Sequence, residues 1–315
     1  MLTYTLPRLG FLLLTVVVTS LLVFVIAQVL PGDVCRVILG REAGAARVAA
    51  CRLDLRLDDP APVRYLRWLA DFARGDWGDS YASGVPIRPL VLERLRMSLM
   101  LAGITFAVAV PLAVALGVLA AVNRGNWLDN LISLGSLAVV GLPEFVTGIL
   151  LIELVAFRVP GLPASSSIAV GTPFREALPA LALPALTATL VLLAYIARLT
   201  RAGVVEELKQ NYVRTAELKG LPRLTVLVKH VLRNALLPTI TVVAISAGWL
   251  VSGLVVIENV FNYPGLGRLL VFAIDRRDLP VLQAIVMLSV VAFALANLAA
   301  DLLYAALNPR IRVGE

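Results

Sequence analysis

Six apolar runs constrain this chain more than any other feature. The first, from about Leu9 to Leu30, holds 22 residues without a charge. As a helix it is about 33 Å long, enough to cross a hydrocarbon layer of roughly 30 Å. The others run from about Met97 to Val122, Asn130 to Phe157, Leu178 to Thr200, Pro238 to Ile257 and Val281 to Leu303. Inside lipid every backbone N–H and C=O needs a protein partner, which a helix supplies within its own segment. The short alternating strands of a membrane β-barrel do not fit this pattern. The chain is 59% hydrophobic and 16% charged, against about 25% charged in a soluble domain. It reads as an all-α polytopic membrane protein with six transmembrane helices.

The first run exceeds the apolar core of a signal peptide, about 7–15 residues, and no A-x-A site follows it. The predicted organisation is an N-terminal transmembrane helix over 1–30, an extracytoplasmic loop domain over 31–96, and a five-helix core over 97–315. That core carries a cytoplasmic loop at about 201–237. Both termini are expected inside, because the short inner segments carry most of their charge as Lys or Arg. The same distribution accounts for the net charge of +7 and excludes nucleic acid as a partner; the lipid bilayer is the expected surrounding.

Residues 31–96 carry eleven arginines and nine acids. Pro31-Gly32-Asp33 breaks the first helix, Pro62 to Phe72 has the period of a short amphipathic helix, and Gly75-Asp76-Trp77-Gly78-Asp79-Ser80 is a turn. Cys35 and Cys51 both fall here. A disulfide between them suits an oxidising compartment and closes a short loop worth roughly 3 kcal/mol in the chain-entropy model; two free thiols are the other reading. The one histidine, His230, lies elsewhere, so no metal site and no histidine-dependent catalytic site is expected.

Within the third run Gly141-Leu142-Pro143 is an interruption, and Glu144 and Glu153 follow. Acids inside a span are costly and face protein or water, which makes Glu144 a candidate wall residue of a translocation path. Ala109, Ala113, Gly117 and Ala121 form a small-residue stripe, as do Ala244, Gly248 and Ser252; both read as helix packing. Between the fifth and sixth runs, Glu258 to Pro280 is expected to be an outer loop with a turn at Asn262-Tyr263-Pro264-Gly265.

The segment from Glu206 to Pro238 is a polar island between two spans, and it holds all three lysines, Lys209, Lys219 and Lys229. Val204, Leu208, Tyr212 and Ala216 recur every four residues as one helix face. Gly220 followed by Leu221-Pro222 is a helix stop. Leu224, Leu227, Val228, Val231, Leu232 and Ala235 make a second stripe. Such a helix–Gly–helix unit can lie flat on the membrane or present its turn to a groove of a cytoplasmic protein; periodicity fits both.

Ala216-x3-Gly220 after Tyr212-Val213-Arg214-Thr215 resembles the EAA loop of bacterial ABC-importer permeases. Where that family continues with I-x-L-P, this chain has His230-Val231-Leu232-Arg233. With Arg233-Asn234-Ala235-Leu236-Leu237-Pro238, this departure resembles the dipeptide/oligopeptide/nickel branch. Pro31-Gly32-Asp33, Gly75-Asp76-x-Gly78-x-Ser80, Leu183-Pro184-Ala185-Leu186-Thr187, Glu258-x2-Phe261-x2-Pro264-Gly265-Leu266-Gly267 and Asp301-x2-Tyr304 follow the same pattern in order. Asn308-Pro309-Arg310 ends it, with Asn308 where aspartate is expected, and Leu95-Arg96-Met97-Ser98 departs from the usual start of the second span. The long segment after the first span resembles the B-type subunit.

The resemblance implies a type I importer permease fold. It implies a homologous C-type permease subunit as partner in a heterodimer, two cytoplasmic ABC ATPase domains below and an extracytoplasmic substrate-binding protein above. Coupling to the ATPases is assigned to Asn211, Tyr212, Arg214, Thr215, Ala216, Lys219, Gly220 and Arg223, with Ala216 and Gly220 leading. The translocation path is assigned to Glu144 and Glu258. No cofactor is expected in this chain: no lysine follows a glycine, so a Walker A loop is missing, and ATP and Mg belong to the partner ATPases. Peptides are the expected cargo, with nickel complexes or glutathione-like peptides as the alternative. A stand-alone secondary transporter would leave the island unexplained.

Overall fold

The computed structural model describes residues 2–29, 34–40, 42–169 and 172–307. Pro31-Gly32-Asp33 and Asn308-Pro309-Arg310 lie outside the described residues, as do the side chains of Ser252, Asp301 and Tyr304. In chain order the helices are α1 (Leu2–Val29), α2 (Val34–Leu39), α3 (Ala45–Asp54), α4 (Ala61–Arg74), α5 (Ile87–Val122), α6 (Trp127–Gly141) and α7 (Glu144–Leu151). A π-turn, Ile152–Ala156, prolongs α7. Then come α8 (Phe174–Glu207), α9 (Asn211–Leu218), α10 (Arg223–Thr225), a second π-turn (Val226–Val231) and α11 (Leu232–Ala235). The chain closes with α12 (Leu237–Gly253), α13 (Val255–Val260), α14 (Leu266–Asp275) and α15 (Leu279–Leu307). Among the described residues β-pairing is confined to an isolated Asp79–Pro86 bridge.

Among the described residues four helices are long and apolar enough to cross a membrane by themselves, within α1, α5, α8 and α15. Two bent pairs bring the number to six where each is counted as one span. Trp127–Gly141 with Glu144–Ala156 turns through 107°, and Arg223–Ala235 with Leu237–Leu250 through 54°. The third run, expected as one span, is thus two helices at a sharp angle: Leu142 is extended and Pro143 starts the next helix. In the fourth, Pro179 and Pro184 lie inside α8, which starts after Pro173.

The chain forms two compact units, residues 1–98 with 264–295 and residues 99–263 with 296–315. In the first, a disulfide between Cys35 and Cys51 joins α2 to α3. Helix α4 lays Tyr65 and Trp68 against Phe24 of α1, with ring centroids 5.4 and 6.2 Å apart. The aromatic row continues through Phe72 to Trp77, which stack at 5.0 Å. Helix α5 starts ten residues before the expected Met97, because Ile87 and Val91 bury one turn apart against Leu266, Leu269 and Ala273 of α14 and Val281 and Ile285 of α15. The expected loop from Glu258 to Pro280 therefore contains a helix, entered through a turn whose Asn262 is left-handed at φ 57°.

One carboxylate organises this unit. Asp278 is fully buried. It accepts bonds from the Ser80 hydroxyl, from Tyr81 N at 3.1 Å and from Ala82 N at 3.2 Å. The turn read in the sequence at 75–80 thus closes over an acid nearly 200 residues away. Bonds to a charged acceptor contribute about 1.5–3 kcal/mol each. Asp278→Ala should speed amide exchange at Tyr81 and Ala82 at least tenfold in hydrogen-exchange measurements; unchanged exchange would mean that other contacts hold the loop.

Candidate coupling surface

In the second unit α8 is the central element, with Leu181, Leu183, Ala188, Ala194, Ile196 and Val204 all buried. Arg201 donates from Nε to Asp129 Oδ1 at 2.5 Å and from Nη2 to Oδ2 at 2.7 Å, fixing α8 to the start of α6. Asp129 also accepts from Gly125 N and Ser133 Oγ, at 3.0 and 3.2 Å. The small-residue stripe of α5 is a packing surface: Ala109, Ala113 and Ala121 are buried, and a Cβ on Gly117 would stand 2.6 Å from the Ala197 oxygen.

The island is built onto the end of α8. Helix α8 ends at Glu207, and Gln210, extended at ψ 146°, starts α9. The single face expected from Val204 through Leu208 and Tyr212 to Ala216 is therefore broken, because the extended residue resets the helical phase. Val213 and Ala216 point inward and Tyr212 is exposed. The Tyr212 hydroxyl donates to Glu207 at 2.5 Å and accepts from Asn234 at 3.4 Å, tying α9 to α8 and α11.

Helix α9 ends in a Schellman motif. Leu221 N donates to Ala216 O at 3.3 Å and Gly220 N to Glu217 O at 2.9 Å, with Gly220 left-handed at φ 77°; Pro222 then prevents continuation. The π-turn that follows shifts the second stripe. Val226, Val231 and Ala235 are buried, while Leu224 and Val228, expected on the apolar face, are 72% and 55% exposed. The extra residue of the wider turn rotates the later side chains relative to a strict 3.6 period.

Val204, Val213, Ala216, Val226, Val231 and Ala235 form one core with Ala121 of α5. Ala216, expected to lead toward a partner, is instead buried in its own chain. The tip consists of Leu218, 81% exposed, with Leu224 and the exposed Lys219, Gly220 and Arg223. Asn211, Arg214 and Thr215 are exposed along the rest of α9; the Thr215 hydroxyl donates to Asn211 O. Leu218 escaped the sequence reading because it lies off both apolar periods; a large apolar residue directly before a Lys-Gly stop was its one signal.

The two path residues differ. Glu144 opens α7, is half-buried and makes no side-chain bond among the described residues. One turn on, the hydroxyl of Thr147 is buried and unpartnered. Glu258 is fully enclosed by its own chain; burial, together with the nearby Glu258 carboxylate, raises the Tyr263 hydroxyl above the usual phenol range. In this conformation Glu258 offers no surface to a path.

Residues 113–313 match the family described as binding-protein-dependent transport system inner membrane component, and residues 1–102 match its N-terminal part. The chain belongs to this family. It is similar to the glutathione transport system permease protein GsiC of Pectobacterium atrosepticum, 40% identical over 314 residues and 99% of both chains. The same protein of Salmonella paratyphi A is 39% identical, and that of Escherichia coli K12 38% identical, each over 312 residues and 99% of both chains. The chain is thus an inner-membrane permease subunit of an ABC importer of the peptide/nickel branch. Such systems work with a substrate-binding protein and ATPases.

Gly203, which the sequence reading passed over, sets how closely the island sits. A Cβ there would stand 2.5 Å from the Ala235 oxygen, so α8 and α11 touch backbone to backbone. Gly203→Val should lower stability by about 1–3 kcal/mol, seen as a fall in the melting temperature of the solubilised protein. An unchanged melting temperature would show that α11 can move away freely.

Proposed function

We propose that this chain is the B-type half of the pore of a short-peptide importer and that it receives the ATPase stroke through its 201–237 loop. The observation that carries the reading is the tip. Exposed Leu218 at the end of α9 and Leu224 on α10, flanked by Lys219 and Arg223, stand on either side of a turn whose neighbouring Val213, Ala216 and Val226 are locked into the chain's own core. Apolar residues suited to a partner's pocket and a basic rim are the anatomy of a protein contact, with the charges setting register and on-rate. The chain itself binds no nucleotide; ATP and Mg sit on two cytoplasmic ATPase domains.

A C-type permease completes the pore, and an extracytoplasmic binding protein delivers the cargo. The Cys35–Cys51 bridge supports an outer location for 31–96, and the basic island supports an inner one for 201–237, with both termini inside. Three relatives named for glutathione transport favour small peptides, glutathione among them, over nickel complexes. Glu144 with Thr147 is the proposed polar stretch of the path wall.

Uptake by the reconstituted complex tests this. Gly220→Asp places a side chain at φ 77°, a conformation costing roughly 1–2 kcal/mol for an L-residue, and should cut peptide uptake at least tenfold while ATP hydrolysis persists. Leu218→Asp should reduce co-purification of the ATPases. Normal uptake by Gly220→Asp at normal expression would sink the coupling assignment, and uptake by this chain without ATPases would establish a secondary transporter instead.

A further inference from the structure

The first unit contains a cavity of about 380 Å³, lined by α1, α4, the 76–81 loop and α15. One part of its wall is aromatic, with Phe24, Trp68, Phe72 and Trp77. Another carries charges of both signs, Arg64 and Arg67 on the first half of α4 and Asp71, Asp76 and Asp79 beyond. On α15, Gln283 borders the space. None of these residues belongs to the coupling tip or to the path assigned above.

Two of these groups have no protein partner. Gln283 is 8% exposed, and its amide makes no bond among the described residues; it borders the cavity and is open to whatever fills that space. Asp79 is exposed and its carboxylate is likewise unpaired among the described residues. The arginines are held in place: Arg64 donates to Leu57 O at 2.9 Å and to Gln28, and Arg67 pairs with Asp59 at 2.9 Å. Arg64 Nε stays buried and unpartnered. The cavity thus has fixed cationic groups, an unpaired anionic one, an amide that can both donate and accept, and apolar faces.

We infer that this cavity is an outer subsite for a short zwitterionic peptide, its carboxylate toward Arg64 and Arg67, its ammonium toward Asp71 and Asp79, its backbone on Gln283 and its side chains on the aromatic wall. This rests on the peptide-importer reading and adds a place where cargo is held. Arg64 and Asp71 are seven residues apart on α4, about 10 Å along the axis, and a three-residue peptide spans about 10 Å when extended. An ammonium and an oxyanion also occur together in the phosphatidylethanolamine headgroup, but there only two carbons separate them. The spacing favours the peptide.

The test uses the full complex, without binding protein, in phosphatidylglycerol nanodiscs, titrated calorimetrically with triglycine, N-acetyl-triglycine and triglycine amide. Triglycine should bind, and removal of either terminal charge should weaken binding at least tenfold. Asp79→Asn should abolish the preference for a free amino terminus, and Gln283→Leu should weaken triglycine at least tenfold. Asp79 is exposed, so its variant remains informative if Gln283→Leu misfolds. Equal binding of all three peptides, indifference to Asp79→Asn, or binding that phosphatidylethanolamine nanodiscs abolish would overturn the subsite. Uptake by the complex reconstituted with its binding protein in closed vesicles, measured in parallel, separates the two ideas. Uptake without binding here refutes the subsite alone; binding without uptake refutes the importer reading.

Discussion

The geometry of the island depends on the backbone contact between α8 and α11 at Gly203. With Ala235 that close, Val204 and Ala235 enter one core with Val213 and Ala216, and α9 has no orientation independent of α8. Two residues earlier, Arg201 grips the buried Asp129, so the same stretch of α8 is tied to α6. An ion pair with one partner buried adds little net stability, but losing one member leaves an uncompensated charge. A short run of α8, from Arg201 to Val204, therefore connects the island to the bundle.

The apolar runs made the helical membrane architecture legible, since nothing but a helix satisfies backbone groups over 22 uncharged residues in lipid. The stop at Gly220-Leu221-Pro222 was legible for a similar reason: glycine tolerates the left-handed cap and proline forbids continuation. Two kinds of feature were not. Phase changes, at the extended Gln210 and the π-turn at Val226–Val231, carry no residue signature, so a constant period put Leu224 inside and left Val226 out. Long-range pairings, Asp278 with Ser80 and Asp129 with Arg201, join residues 198 and 72 positions apart and have no local trace. Ala216 illustrates the limit of a motif: a small residue can mark close approach to a partner or to its own chain, and only packing distinguishes them.

Burial differs sharply along the chain. The most apolar window of α8 is 61% buried, whereas those of α1 and α15 are 17% and 22% buried. Exposed Phe11, Leu13 and Leu14 on α1, and Leu131, Leu134 and Leu137 on α6, would be a liability in water. Lipid covers such surface in the inner membrane, and the second permease subunit proposed above would cover part of it. The α8 window is also the least apolar of the four. It buries six alanines and three threonines among its leucines, and small residues let neighbouring backbones approach.

The charges of the island and its packing lie on different faces. Lys219, Arg223, Lys229 and Arg233 are all exposed, while Val213, Ala216, Val226 and Val231 are buried without a polar atom in their side chains. Left as loops, Leu208 to Gln210 and Lys219 to Pro222 would bend under a push at the tip. They do not act alone, because the side chains on either side of each meet in one close-packed core, and close-packed interiors transmit displacement. Under the coupling proposed above, the helices that carry Leu218 and Leu224 would lean on this core, which includes Val204, and from Val204 α8 is a continuous helix up to Phe174. The packing of the island thus lies on its inner face and the proposed partner contact on its outer one, so the two can change independently in sequence.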